Sequence, residues 1–115
     1  MFRHSTNTAS FLSVVIAALI SWLSLAGVAA AQDNTSLGTN ALISNTTGGF
    51  NTAIGSNALT DNTTGSFNTS SGAYALFNNT TGDFNTASGL QALFSNTTGI
   101  DNTAIGLNAL FSNTT

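Results

Sequence analysis

The chain has 115 residues and is almost uncharged, with one basic residue, Arg3, and four acidic residues, all aspartates. Residues 32–115 contain no Lys, Arg or His, which disfavours charge-driven binding to nucleic acid or to an anionic membrane. The absence of Cys excludes disulfides and zinc–thiolate sites. Apolar residues recur at fixed places among Asn, Thr and Gly, and this pattern favours an ordered chain.

Residues 1–31 have the pattern of a secretory signal peptide. Arg3 and His4 form a weakly basic start, 11–27 form an apolar run, and three alanines at 29–31 match a cleavage site before Gln32. We predict an N-terminal signal helix that is removed, leaving 32–115 secreted or at the cell surface. The alternative is an uncleaved membrane anchor, because 11–31 approach the roughly 20 apolar residues that span a bilayer.

The rest of the chain repeats one unit, N-T-[AS]-x-G-x-x-A-L-x-x-N-T-T-G-x-x, every seventeen residues. Copies 1 to 5 occupy 34–50, 51–67, 68–84, 85–101 and, incompletely, 102–115. We predict three columns of this unit to be structural ladders of a repeat domain at 32–115. They are Gly38, Gly55, Gly72, Gly89 and Gly106; Leu42, Leu59, Leu76, Leu93 and Leu110; and Asn45, Asn62, Asn79, Asn96 and Asn113.

A seventeen-residue period is too short for helix-pair repeats and lies below the range of leucine-rich repeats. It suits one coil of a β-solenoid, where equivalent residues of successive coils lie about 4.8 Å apart. The sequence therefore predicts an all-β fold, a parallel β-solenoid or β-roll of 17-residue coils. The alternative is a single helical turn at G-x-x-A-L-x-x-N in each copy, although that segment is shorter than an independently stable helix.

Each column has an expected role. N-T-[AS]-x-G alternates like a strand and ends in a glycine that permits a bend. Asn-Thr-Thr-Gly has the composition of a turn, and its closing glycine can accept a positive φ at no steric cost. The apolar interior is expected to combine the Ala-Leu pair with two columns of large residues, one of which points outward. These columns hold Ile43, Phe77, Phe94 and Phe111, and Phe50, Phe67 and Phe84.

The N-T-A-I-G motif at 51–55 and 102–106, with Ala-Leu a few positions later, resembles the head repeats of YadA-like trimeric autotransporter adhesins. Similar NTAxGxxAL arrays occur in bacteriophage tail fibres and in large surface proteins that end in a self-cleaving chaperone domain. The resemblance covers residues 34–115 and implies a left-handed parallel β-roll, packed as a trimer and displayed outside the cell. The family's small-residue positions are matched by Ala53, Ser70, Ala87 and Ala104.

Two features depart from these families. Their typical coil is shorter than seventeen residues, and residues 34–115 include no coiled-coil neck, membrane barrel or chaperone domain. Because the fifth copy stops midway at Thr115, we expect either a truncated product or a segment of a longer array.

Catalysis has little support. Residues 32–115 contain no His, Cys, Lys, Arg or Glu, the usual groups of acid–base and nucleophilic chemistry, and we predict no enzyme, cofactor or metal site. Asp61, Asp83 and Asp101 fall at different places in their copies and are expected to be solvated turn residues.

Eight N-x-S/T sequons are expected to be by-products of the turn composition. They contain Asn34, Asn45, Asn62, Asn68, Asn78, Asn79, Asn96 and Asn113.

Three functions follow as hypotheses. The first is an exported structural or adhesive repeat, a surface fibre or adhesin head segment that self-associates as a homotrimer or filament and contacts a host-surface or extracellular-matrix ligand. Self-association is expected because a narrow coil buries too little apolar surface to offset the entropy of ordering it. The second is a subunit of a self-assembling, amyloid-like filament. The third is an ice-binding protein, which the threonine columns suggest but the expected opposite directions of successive threonines disfavour.

Overall fold

A computed structural model describes residues 33–115 of the chain. Each copy contributes one strand of three residues. The strands are β1 (Thr35–Leu37), β2 (Thr52–Ile54), β3 (Thr69–Ser71), β4 (Thr86–Ser88) and β5 (Thr103–Ile105). The predicted signal helix and its cleavage site lie in residues 1–32, outside the described residues. From residue 33 onward, no helix is long and apolar enough to cross a bilayer.

The strands form one parallel sheet in chain order, and each pairs with the next at an offset of seventeen residues. Thr52, for example, pairs with Thr35 on one side and with Thr69 on the other. Because neighbouring strands come from successive copies, the chain makes one circuit of a coil between them. The predicted all-β parallel solenoid of 17-residue coils is confirmed.

Strands β2 to β5 each bury their middle residue inside the coil. Ala53 and Ala87 are fully buried, whereas the threonines beside them are at least partly exposed, as expected for a strand with one buried face. Ser70 takes the same place in β3, where its Oγ donates to the carbonyl oxygen of Ala75 at 2.8 Å. This bond satisfies a hydroxyl that is otherwise surrounded by apolar groups.

The apolar core is narrower than the sequence predicts, since it consists of alanine and leucine side chains alone. Its members are Ala53, Ala58, Leu59, Ala75, Leu76, Ala87, Ala92, Leu93 and Ala104. One of the two columns of large residues points outward, as predicted, since Phe50, Phe67 and Phe84 are about half exposed. The prediction that the other column fills the interior is wrong, because Phe77 and Phe94 are only partly buried. Small residues, one leucine and two buried asparagines occupy the cross-section of each central coil, so the rings lie outside.

The glycine after each strand turns a corner of the coil. Gly55 has a φ of +133°, and a Cβ built on it would lie 2.6 Å from the carbonyl oxygen of Gly72 in the next coil. Conformation and close approach therefore both require glycine here. A positive φ, which the turn composition allows, is not adopted by the closing glycines Gly48, Gly65, Gly82 and Gly99. Glycine is required at these positions because a larger residue would clash with the next coil: a Cβ on Gly65 would lie 2.5 Å from the carbonyl oxygen of Gly82.

Three columns of non-glycine residues also adopt left-handed backbone conformations. In one circuit they are Asn57, Leu59 and Phe67, with φ values of 57°, 50° and 58°. Bulky residues rarely adopt such φ values, which cost roughly 1–2 kcal/mol each. The left-handed leucines of the central coils, Leu59, Leu76 and Leu93, are fully buried, and their burial offsets that cost.

The segment that could have formed a helical turn is instead a pair of consecutive tight turns. The N–H of Ala58 donates to the carbonyl of Gly55, and the N–H of Asn62 donates to that of Leu59, both at 3.3 Å. Because Leu59 has a positive φ, the segment cannot continue as a right-handed helix. The alternative of one helical turn per copy is therefore wrong.

Replacing a corner glycine should show how closely the coils approach. We expect Gly72→Ala to lower the free energy of unfolding by roughly 3 kcal/mol or more, because a Cβ at φ +144° would also lie 2.5 Å from the carbonyl oxygen of Gly89. Gly106→Ala is the matched control, with φ +124° but no atom within 4 Å of the added Cβ, and should lose only about 1–2 kcal/mol. Chemical denaturation followed by circular dichroism measures both, and equal losses would contradict a requirement for close contact.

Candidate functional site: asparagine ladders and two apolar strips

The predicted asparagine column forms a buried ladder of side-chain amides. Asn79 Nδ2 donates to Asn62 Oδ1 at 2.8 Å, and Asn79 Oδ1 accepts from Asn96 Nδ2 at 2.9 Å. All three side chains are fully buried. Asn45 and Asn113 extend the ladder at its two ends, with bonds of 2.9 and 3.1 Å. A continuous chain of amide hydrogen bonds therefore runs through all five coils.

A second asparagine ladder lies outside the predicted site residues. It is formed by the residues that open the copies, Asn34, Asn51, Asn68, Asn85 and Asn102. Here the Oδ1 atom accepts a backbone N–H from the next coil, as Asn51 Oδ1 does from Asn68 N at 2.9 Å. The identity of this column in all five copies is the signal that could have revealed it.

The two ladders meet at one glycine carbonyl in each complete coil. The carbonyl oxygen of Gly65 accepts from Asn51 Nδ2 at 2.8 Å and from Asn62 Nδ2 at 2.9 Å. An amide has donors and an acceptor on the same group, so one side chain can bond within its coil and to the next coil. Among the described residues, Asn102 Nδ2 is the one buried side-chain nitrogen or oxygen without a partner; its counterparts donate to a glycine fourteen residues further along.

The predicted leucine and glycine columns also stack. Leu59, Leu76 and Leu93 are fully buried, and the backbone N–H of Leu76 donates to the carbonyl of Ala92 in the next coil at 3.0 Å. Leu42 and Leu110, in the first and last coils, are more exposed. In the central coils the leucine and asparagine columns therefore belong to the interior, whereas the glycine column lies at partly exposed corners.

One surface column, which we name strip A, consists of Phe50, Phe67 and Phe84. Their exposed fractions are 53, 49 and 56%. The ring centroids lie 5.1 and 4.9 Å apart, and the ring planes are parallel to within 8°, which is an offset-stacked arrangement. The same column carries Asp33 in the coil before the rings and Asp101 in the coil after them. Strip A is thus a short apolar ladder with a carboxylate at each end.

A second surface region, strip B, lies on the turn segments of copies 3 to 5. It consists of Tyr74, Phe77, Leu90, Phe94, Leu107 and Phe111. Its three phenylalanines stack at 5.2 and 5.0 Å, and the ring of Tyr74 tilts against Phe77 at 5.6 Å. Leu90 and Leu107 are 46 and 69% exposed. The equivalent positions in copy 2 are polar, Ser56, Asn57 and Thr60, so strip B is confined to one end of the stack.

The aspartates offer no geometry from which a reaction can be derived. Within residues 33–115, no three of the residue types His, Cys, Asp and Glu come together as a possible metal site. Asp83 Oδ1 accepts the backbone N–H of Ser66 in the preceding coil at 2.7 Å, which is a structural role. Asp33 and Asp101 are exposed, and Asp61 is partly buried.

The threonine pairs lie in turns, so the expectation that they alternate across a strand does not apply. Thr81 is exposed, Thr80 is partly buried, and Thr80 Oγ1 donates to the carbonyl of Thr97 in the next coil at 3.0 Å. The first threonine of the pair therefore stabilises the stack. The sequons overlap the ladders, since Asn62, Asn68, Asn79 and Asn96 are fully buried.

Comparison with protein-family models, with curated proteins and with solved structures found no match.

Removing one ladder amide should destabilise the whole stack. We expect Asn79→Ala to lower the free energy of unfolding by roughly 2–4 kcal/mol, because it leaves the buried partners on Asn62 and Asn96 unpaired. Asn78→Ala is the matched control, since Asn78 is partly exposed and its side chain belongs to neither ladder; it should change stability by less than about 0.5 kcal/mol. Urea denaturation of both variants measures the difference, and similar losses would contradict a stabilising ladder.

Proposed function

We propose that the chain is an exported structural or adhesive repeat protein, a rigid segment of an extracellular fibre or of an adhesin head. The observation that carries this proposal is the stack of five coils in register, with the ladders inside and the apolar strips outside. Such a molecule acts by its shape and surface. The composition supports this role, because residues 32–115 lack His, Cys, Lys, Arg and Glu.

The bonding between coils supports a rigid spacer. Backbone hydrogen bonds join successive coils along the strand and the turn, as from Thr69 N to Asn85 O at 2.8 Å and from Asp61 N to Phe77 O at 3.0 Å. Two amide ladders run beside them. Because each coil contacts only its neighbours, a column of this type can be extended coil by coil with an unchanged cross-section. That property suits a segment that displays or separates other parts of a surface protein.

The outer surface supports a role in contact. Contiguous exposed apolar groups on a protein surface commonly mark sites of interaction, and strips A and B each contain three stacked rings. Self-association as a homotrimer or a filament, and adhesion to a host surface or extracellular matrix, are the contacts that we propose. The predicted signal segment would place them outside the cell.

An amyloid-like filament subunit is the second candidate, and the sheet edges favour it. Within the described part of the chain, the outer edges of β1 and β5 pair with no other strand, and unpaired parallel edges promote stacking. Identical asparagine and aromatic ladders also stabilise stacked in-register strands.

Sedimentation velocity on the purified chain separates the two candidates. A discrete species, a trimer in particular, is expected for the adhesive segment, and open-ended polymers are expected for the filament. Association should weaken in Phe94→Ser, which removes the central ring of strip B. A species that stays monomeric at all concentrations would contradict the proposed self-association.

Export can be tested by the mass of the chain recovered after secretion. With a C-terminal tag in a bacterial host, we expect a product that begins at Gln32, because the small residues at 29–31 suit the signal peptidase. Ala31→Arg is the control, and it should block cleavage because the enzyme requires a small residue there. An unprocessed wild-type chain in the cytosol would contradict the export proposal.

A further inference from the structure

We propose that strip A is a docking site for a cationic segment of a partner protein, one that places two basic side chains on either side of a short apolar stretch. The proposal rests on the proposed function in one respect, since only a displayed chain would meet such a partner. It depends on the pairing of an apolar ladder with carboxylates at its two ends.

The apolar part of the site is short and well defined. The centroid separations of 5.1 Å from Phe50 to Phe67 and 4.9 Å from Phe67 to Phe84 add up to a ladder about 10 Å long. About half of each side chain remains exposed. Because each ring packs against the next, the exposed area consists largely of ring edges, an apolar surface that aliphatic side chains of a partner can cover.

The charged part of the site comes from the same column. Asp33 and Asp101 are both exposed and stand four coils apart, which is about 19 Å at roughly 4.8 Å per coil. Asp83, which precedes Phe84, is partly buried and accepts the backbone N–H of Ser66, so the charge of the site comes from Asp33 and Asp101. No Lys, Arg or His occurs in residues 32–115, so this part of the chain offers these carboxylates no cationic side chain.

Charge favours a basic partner over a second copy on strip A. In a parallel pair of copies, Asp33 would face Asp33 and Asp101 would face Asp101; in an antiparallel pair, each would face the other. Both arrangements oppose like charges beside an apolar contact, which is unfavourable. Strip B has no acidic residue at its positions in copies 3 to 5, so it is the better surface for self-association.

The dimensions define the partner segment. In an extended peptide, side chains on one face recur about every 6.7 Å, so cations roughly 20 Å apart are six residues apart. The two intervening side chains on that face would lie over the rings. The matching probe is the blocked heptapeptide Lys-Thr-Leu-Thr-Leu-Thr-Lys. A cation at either end would also lie near the terminal ring of the ladder, where a cation–π contact can add to the ion pair.

The test is a titration of the dye-labelled probe with the purified chain, followed by fluorescence anisotropy. We expect saturable binding that weakens roughly fivefold or more in Phe67→Ser and in the double variant Asp33→Asn with Asp101→Asn, and that weakens at about 0.5 M NaCl. The matched controls are Asp61→Asn and Ile43→Ser, which removes an exposed apolar side chain that belongs to neither strip; both should bind as the wild type does. Phe94→Ser shows whether strip B binds the probe instead. Circular dichroism of each variant checks the fold, and the aspartate pair leaves the ring ladder intact.

Four outcomes would overturn the proposal. Two concern the probe: a version with Glu at both ends binds equally well, or a folded wild-type chain shows no saturable binding. Two concern the variants: Phe94→Ser loses binding while Phe67→Ser does not, or Phe67→Ser converts an oligomer to a monomer, which would show that a second copy covers strip A. Export and the wild-type oligomeric state are measured without the probe. If the probe titration fails, the proposed function is therefore unaffected; if the export or sedimentation experiment fails, the titration still tests strip A.

Discussion

The vertical registry of side-chain amides is the interaction on which the rest of the structure depends. A buried amide is costly unless its donors and its acceptor are all bonded. The stack meets that condition by placing an identical amide one coil away in each direction, as Asn79 does between Asn62 and Asn96. This solution works only if every coil has the same length. The uniform seventeen-residue offset of the strand pairs is therefore fixed by the buried amide ladders as well as by the hydrogen bonds of the sheet.

The interior also explains why the aromatic residues lie outside. Amides, alanines and one leucine fill each central coil, and a ring would displace groups that hold the coils together. The inner columns accordingly hold one residue type or alternate between Ala and Ser, whereas several outer columns vary more widely. Along the outer face of the strands, the third position is Leu37, Ile54, Ser71, Ser88 and Ile105. A uniform backbone thus carries a surface that differs along its length, with strip A towards one end and strip B towards the other.

The sequence was sufficient to predict the coil length, the parallel pairing and the three ladders, because these follow from the spacing of Gly55, Leu59 and Asn62 and their equivalents. It was insufficient to predict which large residues point inward. Periodicity shows that Phe50 and Phe67 stack, but their direction depends on the left-handed conformations of the residues themselves, and local composition gives no signal for a left-handed phenylalanine. The second amide ladder was missed for a related reason: strand alternation describes the residues from Thr52 onward, and Asn51 enters the coil just before the strand begins.

The fifteen non-glycine residues with left-handed φ among residues 33–115 have a consequence for how such a chain can change over time. Each marks a fixed bend in the circuit, so gaining or losing a single residue would rotate every later side chain out of its column. Only duplication or loss of an entire circuit preserves the bends, the amides and the stacked rings together. The gene is therefore free to vary in length by whole modules and is strongly constrained against frame-preserving insertions of any other size.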